Sequence, residues 1–186
     1  MEINKVVQEC LKGKEGAWKM LVNTYSKRIF NMSYQFTGSY QEAEDLTQDI
    51  FFKLYNSLHK YDFEKNFSGW LSTIAKNYLI DRYRKTKWEK TTRDDFDEYN
   101  LISEVFESPE ERVVKKENKK TIWEGLNTLS TEIRMVIILR DIQGKKYDEI
   151  AEIMDLPLGT VKSRVNRGRL QLAKILKEEM EMKNEM

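Results

Sequence analysis

The stretch LPLGTVKSRVNRGR, residues 156–169, combines cationic side chains with apolar ones at helical spacing. Residues 156–177 contain six bases and no acid, which provides attraction for the phosphates of a nucleic acid. From Thr160 onward the apolar positions follow a helical repeat and leave the polar side chains on the opposite face. Arg and Lys suit guanine acceptors, Asn suits adenine, and Ser adapts to either. The polar residues predicted to contact duplex DNA are Lys162, Ser163, Arg164, Asn166, Arg167 and Arg169.

The residues before this face predict a helix-turn-helix. In YDEIAEIMD the apolar positions share one side of a short helix, and Ala151 is small where a second helix must cross closely. Pro157 and Gly159 interrupt that helix, and Asp155 occupies the turn, where tolerance of unusual backbone angles is favoured. A helix after such a turn enters the major groove with its first residues against the bases. The alternative interpretation is an ordinary solvated basic helix.

A second pattern, QEAEDLTQDIFFKL, places acids and an aromatic residue on one helical face. Residues 41–49 hold four acids and no base. An exposed Phe52 at the end of this acidic face does not serve solubility, so the pattern predicts docking to a basic partner protein. Favourable interaction of acids with the helix N-terminus is the simpler alternative. The opposite stripe predicted to be buried consists of Ala43, Leu46, Ile50 and Leu54.

A third pattern, in NFSGWLSTIAKNYLIDRYRKTKW, mixes bases with aromatic residues. Residues 76–90 carry six bases and two acids, and such surfaces suit single-stranded nucleic acid, whose unstacked bases need aromatic platforms. Helical spacing also predicts that several of these side chains belong to the core. The predicted core stripe is Phe67, Leu71, Ile74, Ala75 and Tyr78. We expect Tyr83 and Trp88 to be exposed.

Charge divides the chain into three parts. There are 15 bases and 11 acids in residues 1–90, 1 base and 8 acids in residues 91–111, and 16 bases and 12 acids in residues 112–186. The acidic middle part has no helical periodicity and is predicted to be a linker. The fold predicted is all-α, with two small helical domains joined by this linker and a helix-turn-helix in the second domain.

Apolar periodicity predicts helices over residues 3–11, 16–36, 39–58 and 68–88, with later helices beginning near Ser108, Ser130, Tyr147 and Thr160. Ser39 and Glu42 have the spacing of a capping box, and Ser68 and Ser108 are the caps predicted for the helices that follow them.

Several classes of function are disfavoured. The single cysteine, Cys10, cannot form an internal disulfide, which favours a reducing cytoplasm. One Cys and one His, His59, do not make a standard zinc site, and no glycine-rich phosphate loop is present. No apolar run approaches the ~18 residues of a membrane span, and the first residues do not form a signal peptide. We therefore expect no catalytic residues, metal, cofactor, small-molecule substrate or membrane insertion.

Three segments together resemble bacterial sigma-70-family factors of the extracytoplasmic-function (ECF) type. They are AEDLTQDIFFKLY, FSGWLSTIAKNYLIDRYRK and YDEIAEIMDLPLGTVKSRVNRGR, in this order. The resemblance covers nearly the whole chain except the acidic linker and the final residues. It implies a promoter-recognition subunit of RNA polymerase, with residues 1–90 as sigma region 2, residues 91–111 as a linker and residues 112–186 as region 4.

The resemblance also implies a partner for each face. The acidic helix would bind the clamp helices of the polymerase β′ subunit, and the matching residues are Asp45, Gln48, Asp49 and Phe52. The next helix would recognise the −10 element and help to open it by capturing an extruded base of the non-template strand. The matching residues there are Phe67, Ser68, Trp70, Lys76, Asn77, Arg82, Arg84 and Lys85. Region 4 would read the −35 element, and its outer surface would meet the β flap.

Further expectations follow from the resemblance. Relatives vary at Asn166, which would therefore help to set the promoter sequence. Gly168 stands where alanine is usual, and this predicts a recognition helix loosened by up to ~1 kcal/mol. The linker would run through the polymerase channel near the RNA exit path. Relatives are often held by an anti-sigma factor, so such a partner is expected here too.

Three alternatives stay open at the level of the sequence. A LuxR-type regulator shares a pattern similar to residues 150–162, but usually adds a sensory domain of alternating strands and helices that residues 1–90 do not resemble. An enzyme would depend on His59. A protein-only adaptor or antagonist of polymerase would leave the bases of residues 156–177 without a purpose.

Overall fold

The structure is a computed structural model that describes residues 3–92 and 122–184, and within these ranges every regular element is helical. The chain divides into two compact units, with residues 3–92 in the first and most of residues 122–184 in the second. Both findings agree with the predicted all-α, two-part organisation. The acidic segment from residue 93 onward and the cap predicted at Ser108 lie outside the described residues.

Across residues 3–92, the N-terminal unit is built from four α-helices, with a short 3₁₀ turn at Leu58–Lys60. They are α1 (Ile3–Leu11), α2 (Glu15–Thr37), α3 (Tyr40–Ser57) and α4 (Phe67–Thr92). Their bounds agree with the predicted helices to within a few residues, except that α4 continues to Thr92.

The ends of these helices follow from local chemistry. Gly38 ends α2 with φ +74°, and its N–H donates to the carbonyl oxygen of Tyr34. Ser39 then caps α3, because its side chain accepts a hydrogen bond from the N–H of Glu42 at 3.2 Å, as predicted. The cap predicted for α4 was wrong. Asn66, not Ser68, accepts from the N–H of Gly69 at 3.0 Å, and Ser68 lies inside the helix.

The core of the N-terminal unit lies where the apolar repeats predicted it. The α3 stripe is buried along its whole length, and α2 contributes Leu21, Ile29, Met32 and Phe36. In α4, Phe67, Leu71 and Ala75 are buried, while Ile74 and Tyr78 are half-buried. Complete burial of each large apolar side chain contributes about 1.5–3 kcal/mol to folding. The packing of α2 and α4 against α3 therefore fixes the outward faces of α3 and α4.

Within residues 122–184, four further helices and one π-helical turn are described. They are α5 (122–128), α6 (Thr131–Ile137), the π turn Ile138–Ile142, α7 (Tyr147–Met154) and α8 (Leu158–Asn184). The helices predicted near Ser130, Tyr147 and Thr160 are confirmed. The π turn was not predicted, and Gly144, two residues after its end, takes a φ of +66° before α7 begins.

Gly168 is where α8 approaches α6 most closely. A Cβ at this position would lie 2.7 Å from Cγ1 of Ile137 and 2.8 Å from Cγ2 of Ile133. The glycine therefore serves helix packing, since it removes the one atom that would keep the two helices apart. This contact offsets the propensity loss expected from sequence.

A buried arginine joins α5 to α6. Arg134 is 1% exposed, and its guanidinium donates to the carbonyl oxygen of Asn127 at 2.8 Å. A carbonyl at a helix C-terminus has no partner within its helix and carries partial negative charge, so it suits a cation. Arg134 thereby fixes the end of α5 against the start of α6.

Candidate nucleic-acid interface

The helix-turn-helix brings the predicted duplex-binding residues to one exposed face of α8. Asp155 takes φ +54° in the turn, so it adopts the left-handed conformation in which glycine is usual. Val161 and Val165 are buried, as the apolar repeat predicted. The residues of the opposite face that are exposed are Lys162, Ser163, Asn166 and Arg167.

Two arginines of this face differ from the rest. Arg164 is half-buried. Arg169 is exposed but paired, because its Nε donates to Oδ2 of Asp141 at 3.1 Å and a second guanidinium nitrogen contacts Oδ1. This fork-shaped pairing raises the pKa of Arg169 and neutralises part of its charge. Arg169 is therefore less available to a phosphate than Arg167.

A polar cleft lies beside the first turn of α8. Its lining consists of Arg140, Lys146, Tyr147, Asp148, Leu158 and Lys162. The Arg140 guanidinium lies 4.5 Å from the ring centroid of Tyr147, and it also donates to the carbonyl oxygen of Lys145 at 2.7 Å. The cation–π contact and the hydrogen bond hold this cation in place, so the basic surface extends beyond α8.

The acidic face of α3 is also exposed. Asp45, Gln48 and Asp49 lie at the surface, and Phe52 is 70% exposed, the largest fraction among the large apolar side chains described. Tyr55 continues the same stripe one turn further, with its ring centroid 4.9 Å from that of Trp18. The face therefore begins with carboxylates and ends with aromatic rings, which is a surface suited to protein recognition.

Asp49 on this face receives a hydrogen bond from another helix. The hydroxyl of Tyr78, on α4, donates to Oδ2 of Asp49 at 2.6 Å. Burial, together with the hydrogen bond to the carboxylate, raises the pKa of Tyr78 to about 12. The Nζ of Lys53 lies 5.3 Å from the centroid of the same ring.

On α4 the predicted −10 residues divide into exposed and buried groups. The exposed residues are Asn77, Arg82, Arg84 and Lys85. Phe67 is 1% exposed, and its ring lies 5.3 Å from Tyr25 and 5.9 Å from Trp70, centroid to centroid. Phe67 therefore presents no surface to DNA in this conformation, because its ring completes the aromatic core. Its predicted base contact needs correction to a supporting role.

The other predicted −10 residues are held by neighbours. Lys76 is only 7% exposed, and its Nζ donates to Oδ1 of Asn77 at 2.6 Å, so it supports the exposed amide from behind. Trp70 is half-buried. Ser68 receives a hydrogen bond from the guanidinium of Arg28, on α2. These contacts fix the side chains before any ligand binds.

The prediction that Tyr83 is exposed was wrong. Tyr83 is half-buried, and its ring meets Phe36 edge-on, with centroids 5.9 Å apart. The side chain of Trp88 lies outside the described residues.

Sequence reasoning missed the residues that position these sites. Arg28 holds Ser68, Asp141 pairs with Arg169, and Tyr78 was assigned only to the core although its hydroxyl reaches Asp49. Each pair is 28 to 40 residues apart in sequence, and no local spacing reveals such a contact.

Two family descriptions match the chain. Residues 21–89 match sigma-70 region 2, and residues 119–172 match sigma-70, region 4. The first match contains α3 and most of α4, and the second contains the helix-turn-helix. Both descriptions are segments of sigma-70 proteins, and together they define the class.

Related sequences align with this chain along nearly its whole length. The ECF RNA polymerase sigma factor SigW of Bacillus subtilis is 35% identical over 184 residues, which cover 96% of this chain and 98% of the relative. The ECF RNA polymerase sigma-E factor of Escherichia coli is 30% identical over 171 residues, 88% of each chain. The chain therefore belongs to the ECF RNA polymerase sigma factors of the sigma-70 family, proteins of promoter-specific transcription initiation.

Solved structures share the fold. The sigma factor RpoE of Bartonella quintana, in complex with the anti-sigma factor NepR, has a TM-score of 0.69 and 28% identity, covering 86% of this chain and 96% of its own. CnrH, in complex with the cytosolic domain of CnrY, has a TM-score of 0.69 at 22% identity, with coverage of 93% and 96%. Among the described residues, no helix combines the length and apolar character that crossing a bilayer requires.

Proposed function

We propose that this chain binds core RNA polymerase and directs it to promoters by reading a −35 and a −10 element and by assisting DNA opening. The observation that carries the proposal is the pairing of two surfaces in one sigma-70 chain: the acid-free basic face of α8 and the acidic–aromatic face of α3. The first suits duplex DNA, and the second suits a basic protein. The activity is one of binding, and its place is the cytoplasm, where polymerase and promoter meet.

Residues 1–90 act as region 2 in this proposal. Asp45, Gln48, Asp49 and Phe52 bind the clamp helices of the β′ subunit, with the carboxylates opposite cations and Phe52 in an apolar pocket. Support comes from their shared exposed face and from the 70% exposure of Phe52. Burying this ring on binding contributes about 1.5–3 kcal/mol.

The exposed side of α4 contacts the −10 element. Asn77 provides an amide for base edges, while Arg82, Arg84 and Lys85 approach the strand's phosphates. Ser68 and Trp70 border the position of an extruded base, whose capture must offset a few kcal/mol of unstacking. Phe67 and Lys76 support this surface from beneath, as their burial indicates.

Residues 112–186 act as region 4 and read the −35 element through α8. Lys162, Ser163, Asn166 and Arg167 face the bases, Arg164 borders them, and Arg169 is partly neutralised by Asp141. The outer surface of this unit meets the β flap, and residues 91–111 serve as the linker in the polymerase channel. An anti-sigma factor is a further partner, supported by the structural neighbour RpoE of Bartonella quintana, which was solved in complex with the anti-sigma factor NepR.

Transcription in a purified system tests the proposal. Core polymerase, the full chain and a genomic fragment library are expected to yield defined transcription start sites that core polymerase alone does not produce. A chain that binds DNA yet gives no start sites and no association with core polymerase would contradict the proposal. A chain that binds polymerase without directing any start site would be a protein-only antagonist.

A further inference from the structure

One hydrogen bond connects the proposed polymerase-binding face to the helix that carries the proposed −10 surface. The hydroxyl of Tyr78 on α4 donates to Oδ2 of Asp49 on α3 at 2.6 Å. Charge-assisted O–H···O⁻ bonds have lengths of about 2.5–2.7 Å and are roughly twice as strong as neutral ones. The contact is therefore a strong one between two helices, although Asp49 itself lies at the surface.

The surroundings of Tyr78 keep its hydroxyl protonated. The side chain is half-buried, and its pKa of about 12 leaves the phenol a donor throughout the neutral range. The Nζ of Lys53, 5.3 Å from the ring centroid, adds a cation–π contact that favours the observed ring position. Both partners of the hydrogen bond thus have a defined place.

The hydrogen bond leaves Asp49 able to bind a second group. A carboxylate offers about four lone-pair sites on two oxygens, and Tyr78 uses one of them. An exposed aspartate without such a partner would sample several rotamers, and binding would have to restrict it. Fixing the carboxylate in advance lowers the entropic cost of ordering it when the partner binds.

We propose that Tyr78 is a positioning residue for polymerase binding: its hydroxyl holds the Asp49 carboxylate in the orientation that a cation of the polymerase engages. This inference rests on the proposed function of the α3 face. Tyr78 also lies next to Asn77 and one turn before Arg82, so the same residue borders the proposed DNA surface. Its place is therefore at the junction of the two binding faces of the N-terminal unit.

A double-mutant cycle on the full chain tests this role. Affinity for core polymerase is measured without DNA, by fluorescence anisotropy, for Tyr78→Phe, Asp49→Asn and the double variant. Tyr40→Phe is the matched control, since it removes a tyrosine hydroxyl from the same unit with no hydrogen bond described for it in residues 3–92. Thermal unfolding of each variant checks that the fold is retained.

We expect Tyr78→Phe to weaken binding about three- to tenfold, because a hydrogen bond to a charged group is lost. In the Asp49→Asn background the same change is expected to have an effect below about twofold. Tyr40→Phe is expected to match the wild type. This pattern assigns the effect of Tyr78 to Asp49.

Other results overturn the inference in distinguishable ways. If Asp49→Asn weakens binding but Tyr78→Phe does not, the positioning role is wrong and the proposed function stands. If Tyr78→Phe weakens binding equally in both backgrounds, its hydroxyl acts through a group other than the Asp49 carboxylate, and the positioning role is wrong. If Asp49→Asn leaves the affinity unchanged, the assignment of the α3 face fails, and the positioning role fails with it.

Discussion

The basic face of α8 and the basic–aromatic face of α4 differ in how they combine a buried core with an exposed surface for nucleic acid. In α8 the proposed contact residues and the core residues occupy opposite sides, with Val161 and Val165 buried and Lys162 and Arg167 exposed. In α4 the two sets overlap, since Phe67 is completely buried among other rings although its type suits base stacking. One helix separates stability from recognition, and the other combines them.

This difference follows from how many elements surround each helix. Helix α4 packs against both α2 and α3, so residues on more than one side of it meet neighbours. The longer α8 is held mainly along the line that faces α6, where Gly168 permits close approach. Substitutions are therefore expected to affect stability and binding together in α4 and separately in α8.

The largest effect on stability is expected at Phe67, the buried aromatic residue of α4. Phe67→Ala should reduce the free energy of unfolding of the N-terminal unit by about 3–5 kcal/mol, because it leaves a cavity among packed rings. Amide hydrogen exchange of α2 and α4 measures the loss. Arg82→Ala, at an exposed position of the same helix, should change the free energy of unfolding by less than about 0.5 kcal/mol. Equal effects of the two substitutions would refute the contrast within α4.

Reversing a charge on α3 is expected to abolish assembly while sparing the fold. Asp49→Lys places a cation opposite cations of the proposed partner, at a cost of about 2–5 kcal/mol or more in binding. Pull-down with core polymerase measures the loss, and Glu64→Lys, an exposed acid outside α3, serves as the charge-matched control. Normal assembly of Asp49→Lys would remove α3 from the polymerase interface.

The exposed face of α8 allows recognition to be changed alone. Arg167→Ala should weaken −35 binding by about 1–3 kcal/mol and relax selectivity at one base pair, with the unfolding midpoint unchanged. Arg169→Ala should have a smaller effect, because Asp141 already neutralises that guanidinium. Quantitative footprinting at fixed salt compares the two variants. A larger loss for Arg169→Ala would show that its ion pair opens when DNA binds.

A substitution at Gly168 tests the packing of α8 against α6. Gly168→Ala gains up to about 1 kcal/mol of helix propensity but forces Ile133 and Ile137 apart, which costs about 1–3 kcal/mol. A net destabilisation of about 1 kcal/mol is expected from hydrogen exchange in α6 and α8. Gly159→Ala is the control, since no atom lies within 4 Å of a Cβ there. Stabilisation by Gly168→Ala would show that Ile133 and Ile137 move aside at a cost smaller than the gain in helix propensity.

The smallest effect concerns the alkaline titration of Tyr78. Its pKa is raised to about 12, so its contribution to stability is complete below the unfolded value of about 10 and is lost as pH rises from 10 to 12. Asp49→Asn removes one cause of the shift and should lower this pKa toward 10. NMR of ¹³C-labelled tyrosine follows the titration. An unchanged pKa in the variant would leave burial as the only cause.

Much of this architecture could be predicted from the sequence, because helical repeats and end signals are local. The α3 stripe, the Ser39 cap and the turn at Asp155 all depend on residues close in the chain. Predictions failed where a side chain had two plausible uses. Tyr83 packs against Phe36 rather than solvent, and Ser68 contacts Arg28 because Asn66 takes the cap. Contacts between helices that are distant in sequence determine where such side chains lie, and helical periodicity contains no information about these contacts.

The hydrogen bond from Arg134 to the carbonyl oxygen of Asn127 limits how short a fragment containing the helix-turn-helix can be made. A fragment that starts at residue 130 would retain the whole helix-turn-helix but lose the oxygen that this guanidinium contacts in the interior. Removing an acceptor from a buried guanidinium lowers stability, so such a fragment is expected to be less stable around Arg134 than the intact unit. Transplanting the DNA-reading module into another protein therefore requires α5 to travel with it.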